Sequence, residues 1–148
     1  MRYLLMMLLG WLPMLASAVA FDESTQSLPL GRVMQVFEDA GGEATLADVT
    51  AHGELFEPHT KDTLNKGYSH SAFWIKVDLH YQPQDPQVHR TWLLELAYPP
   101  LDSIELYLAD AAGNYRLAER TGDALPFDSR QIKENNYLFE LNFSPGQS

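Results

Sequence analysis

The 148-residue sequence contains no cysteine. A chain without cysteine forms no disulfide and no thiolate metal site, and it cannot carry the lipid-modified cysteine of a lipoprotein. Basic residues are also few: ten lysines and arginines stand against twenty aspartates and glutamates, for a formal net charge of −10. This acidity disfavours nucleic acid and anionic lipid surfaces as partners, but it permits cations, neutral sugars and basic proteins.

Signatures of enzymes are missing as well. The sequence has no G-x-S-x-G elbow, no phosphate-binding P-loop, no glycine-rich dinucleotide fingerprint and no H-E-x-x-H zinc motif. A glycosidase needs only two carboxylates, but nothing in the sequence selects a pair. We therefore predict that this segment contains no catalytic residues and needs no cofactor.

One apolar run stands at the beginning of the chain. "LLMMLLGWLPML" follows Arg2 and Tyr3, and the small residues of "ASAVA" follow it. This order is typical of a secretory signal peptide, and the run is short for a membrane-spanning helix. We predict a signal peptide over residues 1–20, a mature chain that starts at Phe21, and a domain over residues 21–148 that lies outside the cytoplasm.

Beyond residue 20 the sequence predicts short strands separated by turns. Strands are expected near residues 33–37 and at 72–81, 91–97, 103–109, 115–120 and 136–143, with turn signals such as "DAAGN" between them. Thr45 and Asp48 have the spacing of a capping box, which predicts one short helix over residues 46–51. This pattern favours an all-β fold, an antiparallel β-sandwich.

The strand "AFWIKVDLHY" alternates apolar and polar residues, but Trp74 falls on the polar face. Two interpretations are open: Trp74 packs beneath another segment, which we favour, or it forms a platform for a ligand. Period-two alternation predicts that the following residues lie between the sheets: Phe73, Ile75, Val77, Leu94, Leu96, Ile104, Leu106, Phe139 and Leu141.

Several short motifs, taken in order, resemble one bacterial family. They are "FW" in a strand, "WLLEL-YPPLDSIELYL", "GDALPF--R" and "LFEL-FSPG", and together with "VFEDAGGEATLADV" they extend over nearly all of residues 21–148. The sequence is similar to the type-two extracellular sensor domain of seven-transmembrane receptors with diverse intracellular signalling modules. No single motif is specific, but their order and spacing are.

The resemblance implies a jelly-roll sandwich like that of carbohydrate-binding modules. It also implies a periplasmic ligand-sensing domain, with a membrane region and an output module such as a histidine kinase or diguanylate cyclase after residue 148. On this view the last strand or strands of the sandwich follow Ser148, and the receptor is a candidate homodimer. The alternatives are a stand-alone carbohydrate-binding module and a periplasmic protein-interaction domain.

Five residues are candidates for contact with a carbohydrate or related ligand. Sugar sites combine exposed aromatic faces with nearby polar side chains, which Trp74 and Tyr107 could supply as aromatics. The connection "GDALPFDSR" offers Asp123, Asp128 and Arg130, and a guanidinium suits bidentate recognition of a carboxylate.

The charged candidates have alternative interpretations in which they contact no carbohydrate. Arg130 could instead form an internal ion pair with Asp123 or Asp102 that fixes the loop. A calcium site is a further alternative, formed by convergence in space of Asp102, Asp110, Asp123 and Asp128.

Overall fold

A computed structural model of the chain describes residues 18–88 and 90–143. The signal peptide predicted over residues 1–20 lies outside the described residues except for its last three positions, and so do the motif residues Pro145 and Gly146. None of the described helices has the length and hydropathy needed to span a bilayer.

The described chain consists almost entirely of short strands. In order they are β1 (Val19–Phe21), β2 (Gln35–Asp39), β3 (Glu57–Pro58), β4 (Ala72–Lys76), β5 (Leu79–Tyr81), β6 (Thr91–Leu96), β7 (Ile104–Ala109), β8 (Tyr115–Thr121) and β9 (Tyr137–Asn142). One α-helix, α1 (Leu46–Ala51), and two 3-10 turns, Gly53–Leu55 and Phe127–Ser129, complete the elements. The all-β prediction is confirmed, whereas the jelly-roll arrangement remains a prediction.

The chain divides into two compact units. The first, which includes residues 28–79, contains the three-stranded antiparallel sheet β3-β2-β4 and helix α1. The helix begins where the sequence predicts it: Thr45 accepts a hydrogen bond from the Asp48 amide, and the Asp48 carboxylate accepts one from the Thr45 amide. Among the residues that the structure describes in this unit, the buried apolar ones are Met34, Val36 and Val49.

The structure corrects the prediction for Ile75, which is 45% exposed rather than buried between sheets. Ile75 lies on β4, an outer strand of its sheet, opposite the buried Val36 of the central strand β2. Trp74 is half-buried on the other face, opposite Phe37, whose ring lies 6.1 Å from that of Phe56. The face that carries Trp74 therefore also carries the contact between Phe37 and Phe56, and the packing role of Trp74 remains a prediction.

The second unit, which includes residues 20–27 and 80–143, contains two antiparallel pairs, β6-β9 and β7-β8. Its core includes Tyr137, Phe139 and Leu141 on β9, as the alternation predicts for the last two. An aromatic cluster accompanies them, in which the ring of Phe21 contacts three others, those of Tyr81, Trp92 and Phe143, at 5.0–5.3 Å. The other predicted core positions, apart from Ile75, are half-buried.

Candidate functional site

The loop between β8 and β9 is held close to the segment that precedes β7. Gly122 has φ 146°, and a Cβ atom there would lie 2.1 Å from the carbonyl oxygen of Asp102. The Asp123 and Ala124 amides donate to the carbonyls of Leu101 and Asp102 at 2.7 and 3.1 Å. Glycine is therefore required at position 122 both for its backbone angle and for this close approach.

Arg130 is fixed inside this loop. Its Nη1 donates to the carbonyl oxygens of Glu134 and Asn135. The guanidinium also lies over the rings of Phe127 and Tyr137, at 4.9 and 4.3 Å. Tyr137 is 1% exposed and donates its hydroxyl to the Pro99 carbonyl at 2.8 Å, so one of the two rings is itself immobile.

The alternative of an ion pair between Arg130 and Asp123 or Asp102 is wrong for the described residues. The loop doubles back after the 3-10 turn, and its own carbonyl groups reach the guanidinium instead. Carbonyl oxygens satisfy the donors of arginine without the desolvation of a carboxylate. The loop is held by Arg130 as that alternative supposed, but through different acceptors.

Arg130 borders a groove of about 480 Å³ in the second unit. This volume lies within the ~300–1,000 Å³ typical of small-molecule sites. Strands β7, β8 and β9 and the loop contribute its walls. The lining residues are Leu106, Leu108, Arg116, Ala118, Glu119, Asp128, Ser129, Arg130, Gln131, Glu140 and Asn142. Of the five candidates, the groove brings together Asp128 and Arg130.

Three groove residues that sequence analysis did not select form a connection across it. The Gln131 amide donates to the Glu119 carboxylate of β8, and the Gln131 side-chain oxygen accepts from the Glu140 amide of β9, both at 3.2 Å. These residues lie far apart in sequence and share no motif spacing, so no local signal could have grouped them.

Asp128 is exposed and pairs with Lys133 across the groove-side turn. A hydrogen bond from Lys133, together with its positive charge, lowers the pKa of the Asp128 carboxyl. Asp123 is exposed and does not line the groove, and Trp74 belongs to the first unit. Direct ligand contact by Asp123 or Trp74 remains a prediction.

Tyr107 lies on the opposite face of the β7-β8 hairpin from the groove. Its hydroxyl donates to the Glu105 carboxylate, which raises the pKa of the Tyr107 phenol. Arg120 Nη2 lies 2.6 Å from the same carboxylate. The neighbouring side chains of Tyr115 and Leu117 are 41% and 44% exposed. We call this face, formed by the five residues just named, the Glu105 face.

The described residues show no arrangement of ligands that supports the alternative of a calcium site. Within residues 18–88 and 90–143, no group of three or more acidic or histidine side chains is arranged to hold a metal ion. Asp110 instead accepts hydrogen bonds from the amides of Ala112 and Asn114 in its own hairpin turn.

A match to a family model establishes the family of this chain. The model of the 7TMR-DISM extracellular 2 family matches residues 31–148. The chain belongs to this family. Domains of this family are extracellular sensor domains of membrane receptors, which implies that the chain lies in the periplasm or outside the cell as part of a membrane protein. Such a domain is non-catalytic by itself. A search of curated proteins found no match.

Proposed function

We propose that this 7TMR-DISM extracellular 2 domain is the periplasmic ligand-sensing part of a membrane-bound bacterial signalling protein, and that it binds a carbohydrate or related small molecule in the groove. The groove itself is the observation that carries the proposal. It has an apolar floor of Leu106, Leu108 and Ala118 beside charged and amide side chains. Sugar rings have apolar faces and polar edges, which suit such a mixed lining.

Signalling would follow from a shift in population between two arrangements of the domain. A ligand that binds one arrangement more tightly raises its share, and the linked membrane helices then carry the bias inward. Gln131 supports this proposal because it joins β8 to β9 through two hydrogen bonds at the groove. A ligand that binds in the groove beside Glu119 would hold this connection in one arrangement.

A screen of sugars by thermal shift, with the full chain, tests the binding proposal. We expect a hit whose binding is lost in Ala118→Phe, because the added ring occupies the groove. Leu117→Phe is the matched control, since Leu117 is adjacent in sequence but lies opposite Tyr107 on the Glu105 face. Loss of binding in Leu117→Phe with retention in Ala118→Phe would place the site on the wrong face and refute the proposal.

The DNA sequence that follows the codon for Ser148 tests the predicted signalling output. We expect the codons after Ser148 to encode seven apolar segments followed by a histidine kinase or a diguanylate cyclase. A hydrolase domain at that position would instead favour the alternative of a carbohydrate-binding module without a signalling role.

A further inference from the structure

The guanidinium of Arg130 is fixed in position, but only one of its three nitrogen atoms has hydrogen-bond acceptors among the described residues. Nη1 has two carbonyl acceptors, and the rings of Phe127 and Tyr137 hold the plane of the group. In contrast, Nε is buried and has no hydrogen-bond partner in the described part of the chain. A buried donor without an acceptor costs roughly 1–3 kcal/mol, and more when the group is charged.

The unused edge has a specific geometry. In a guanidinium, the N–H bonds of Nε and Nη2 point in parallel, and this edge matches the two oxygens of a carboxylate. No hydrogen bond among the described residues engages Nη2 of Arg130. A ligand oxygen can therefore contact Nη2 first. Nε has almost no surface open to solvent, so a second oxygen completes the bidentate contact only after the atoms that cover Nε move aside.

The surrounding charges restrict the kind of anion. Glu119, Asp128 and Glu140 line the groove with Arg116 and Arg130, and Lys133 pairs with Asp128. A doubly charged phosphate would be repelled by the unpaired carboxylates more strongly than a singly charged carboxylate. Those same carboxylates can accept hydrogen bonds from ligand hydroxyl groups.

We propose that the groove binds a hydroxylated carboxylic acid, such as a sugar acid, with its carboxylate on the Nε–Nη2 edge of Arg130. This inference rests on the proposed function because it names the class of ligand for the same groove. It makes Arg130 the residue that distinguishes an acidic sugar from a neutral one.

The experiment is an NMR titration of the full chain with three probes: D-glucuronate, D-glucose and acetate. The side-chain Nε–H signal of Arg130, assigned by its loss in Arg130→Lys, is followed together with the affinity. We expect glucuronate to shift this signal and to bind about tenfold or more tightly than glucose, as for one charge-assisted contact. Arg130→Gln should abolish this preference, while Arg116→Gln, which removes the same charge from the same groove, should retain most of it.

The outcomes separate the two proposals. Equal binding of glucuronate and glucose in the groove, with an unmoved Nε–H signal, would overturn the carboxylate inference and leave the carbohydrate site standing. A shift caused by acetate, with no binding of glucuronate or glucose, would show that a carboxylate reaches Arg130 but would overturn both the hydroxylated-acid inference and the carbohydrate ligand. If no probe moves the signal, the inference is wrong.

Discussion

Charged side chains lie on both faces of the β7-β8 hairpin, but their hydrogen bonds are satisfied to different extents. On the Glu105 face, the carboxylate takes the hydroxyl of Tyr107 and the guanidinium of Arg120. On the groove face, the guanidinium of Arg130 has two backbone acceptors for Nη1, but its buried Nε has none within the described residues.

The difference shows how a structural cluster can be told from a binding site. Where charged side chains satisfy one another at the surface, each contact contributes little and no ligand is needed to complete it. Where a fixed donor is buried without an acceptor, the folded state carries a cost that water or a ligand can remove. The groove face is therefore the better candidate for ligand recognition.

The largest contrast is expected between Arg130→Met and Arg120→Met. Loss of Arg130 leaves two loop carbonyls without their charged donor and uncovers the buried Tyr137 ring, so we expect a decrease of about 1.5–3 kcal/mol in the free energy of unfolding. The side chain of Arg120 is 58% exposed, and its replacement should cost less than about 1 kcal/mol. Urea denaturation of both variants measures the difference; equal losses would contradict it.

A smaller effect is expected at Gln131. Replacement by leucine removes the acceptor of the Glu140 amide, which should cost about 0.5–1.5 kcal/mol. Replacement by glutamate retains an oxygen at that place and should keep the Glu140 amide protected from hydrogen exchange. If Gln131→Leu left the exchange of this amide unchanged, the connection between β8 and β9 would be refuted.

On the Glu105 face, stability should respond to alkaline pH. The hydrogen bond to Glu105 raises the pKa of Tyr107 above its ordinary value of 10.0. Its stabilisation is therefore complete below pH 10 and is lost as the pH rises through the higher folded value. Thermal melts above pH 10 should fall less steeply for Tyr107→Phe than for the unmodified chain, and parallel curves would show that the bond contributes nothing.

The smallest effect concerns Asp128 and Lys133 at acid pH. Because Lys133 lowers the pKa of Asp128 from 3.8, the stabilisation of this pair is present above that value and is lost as the pH falls through the lower folded value. Asp128→Asn should flatten the acid limb of the melting curve slightly. Lys133→Met should reproduce this change, and a response to one substitution alone would argue against the pair.

Local features of the fold were predictable from the sequence. Helix α1 spans the predicted residues 46–51, and its start is predictable because the hydrogen bonds of the capping box involve Thr45 and Asp48 alone. The turn at "DAAGN" forms as expected, with Gly113 at φ 83°. Ile75 was placed wrongly because alternation identifies a face but does not show whether a strand lies at the edge of its sheet.

The candidate site was predictable only in part. Arg130 and Asp128 lie in one short loop, and the composition of this loop predicts both as candidate ligand contacts. The acceptors of Arg130 are backbone carbonyls, which every residue possesses, so no sequence pattern identifies them. Glu119 and Gln131 meet only because β8 and the loop fold together, with Ala118 as the additional residue of a bulge between Leu106 and Tyr107 on the partner strand.

Hydrogen exchange of the full chain, with and without the best ligand from the sugar and sugar-acid screens, tests the central claim most directly. The claim is that the groove face, and not the Glu105 face, receives the ligand. We predict slower exchange at the amides of Gln131 and Glu140, with no change at Tyr115 and Leu117. Slower exchange confined to Tyr115 and Leu117 would contradict the account.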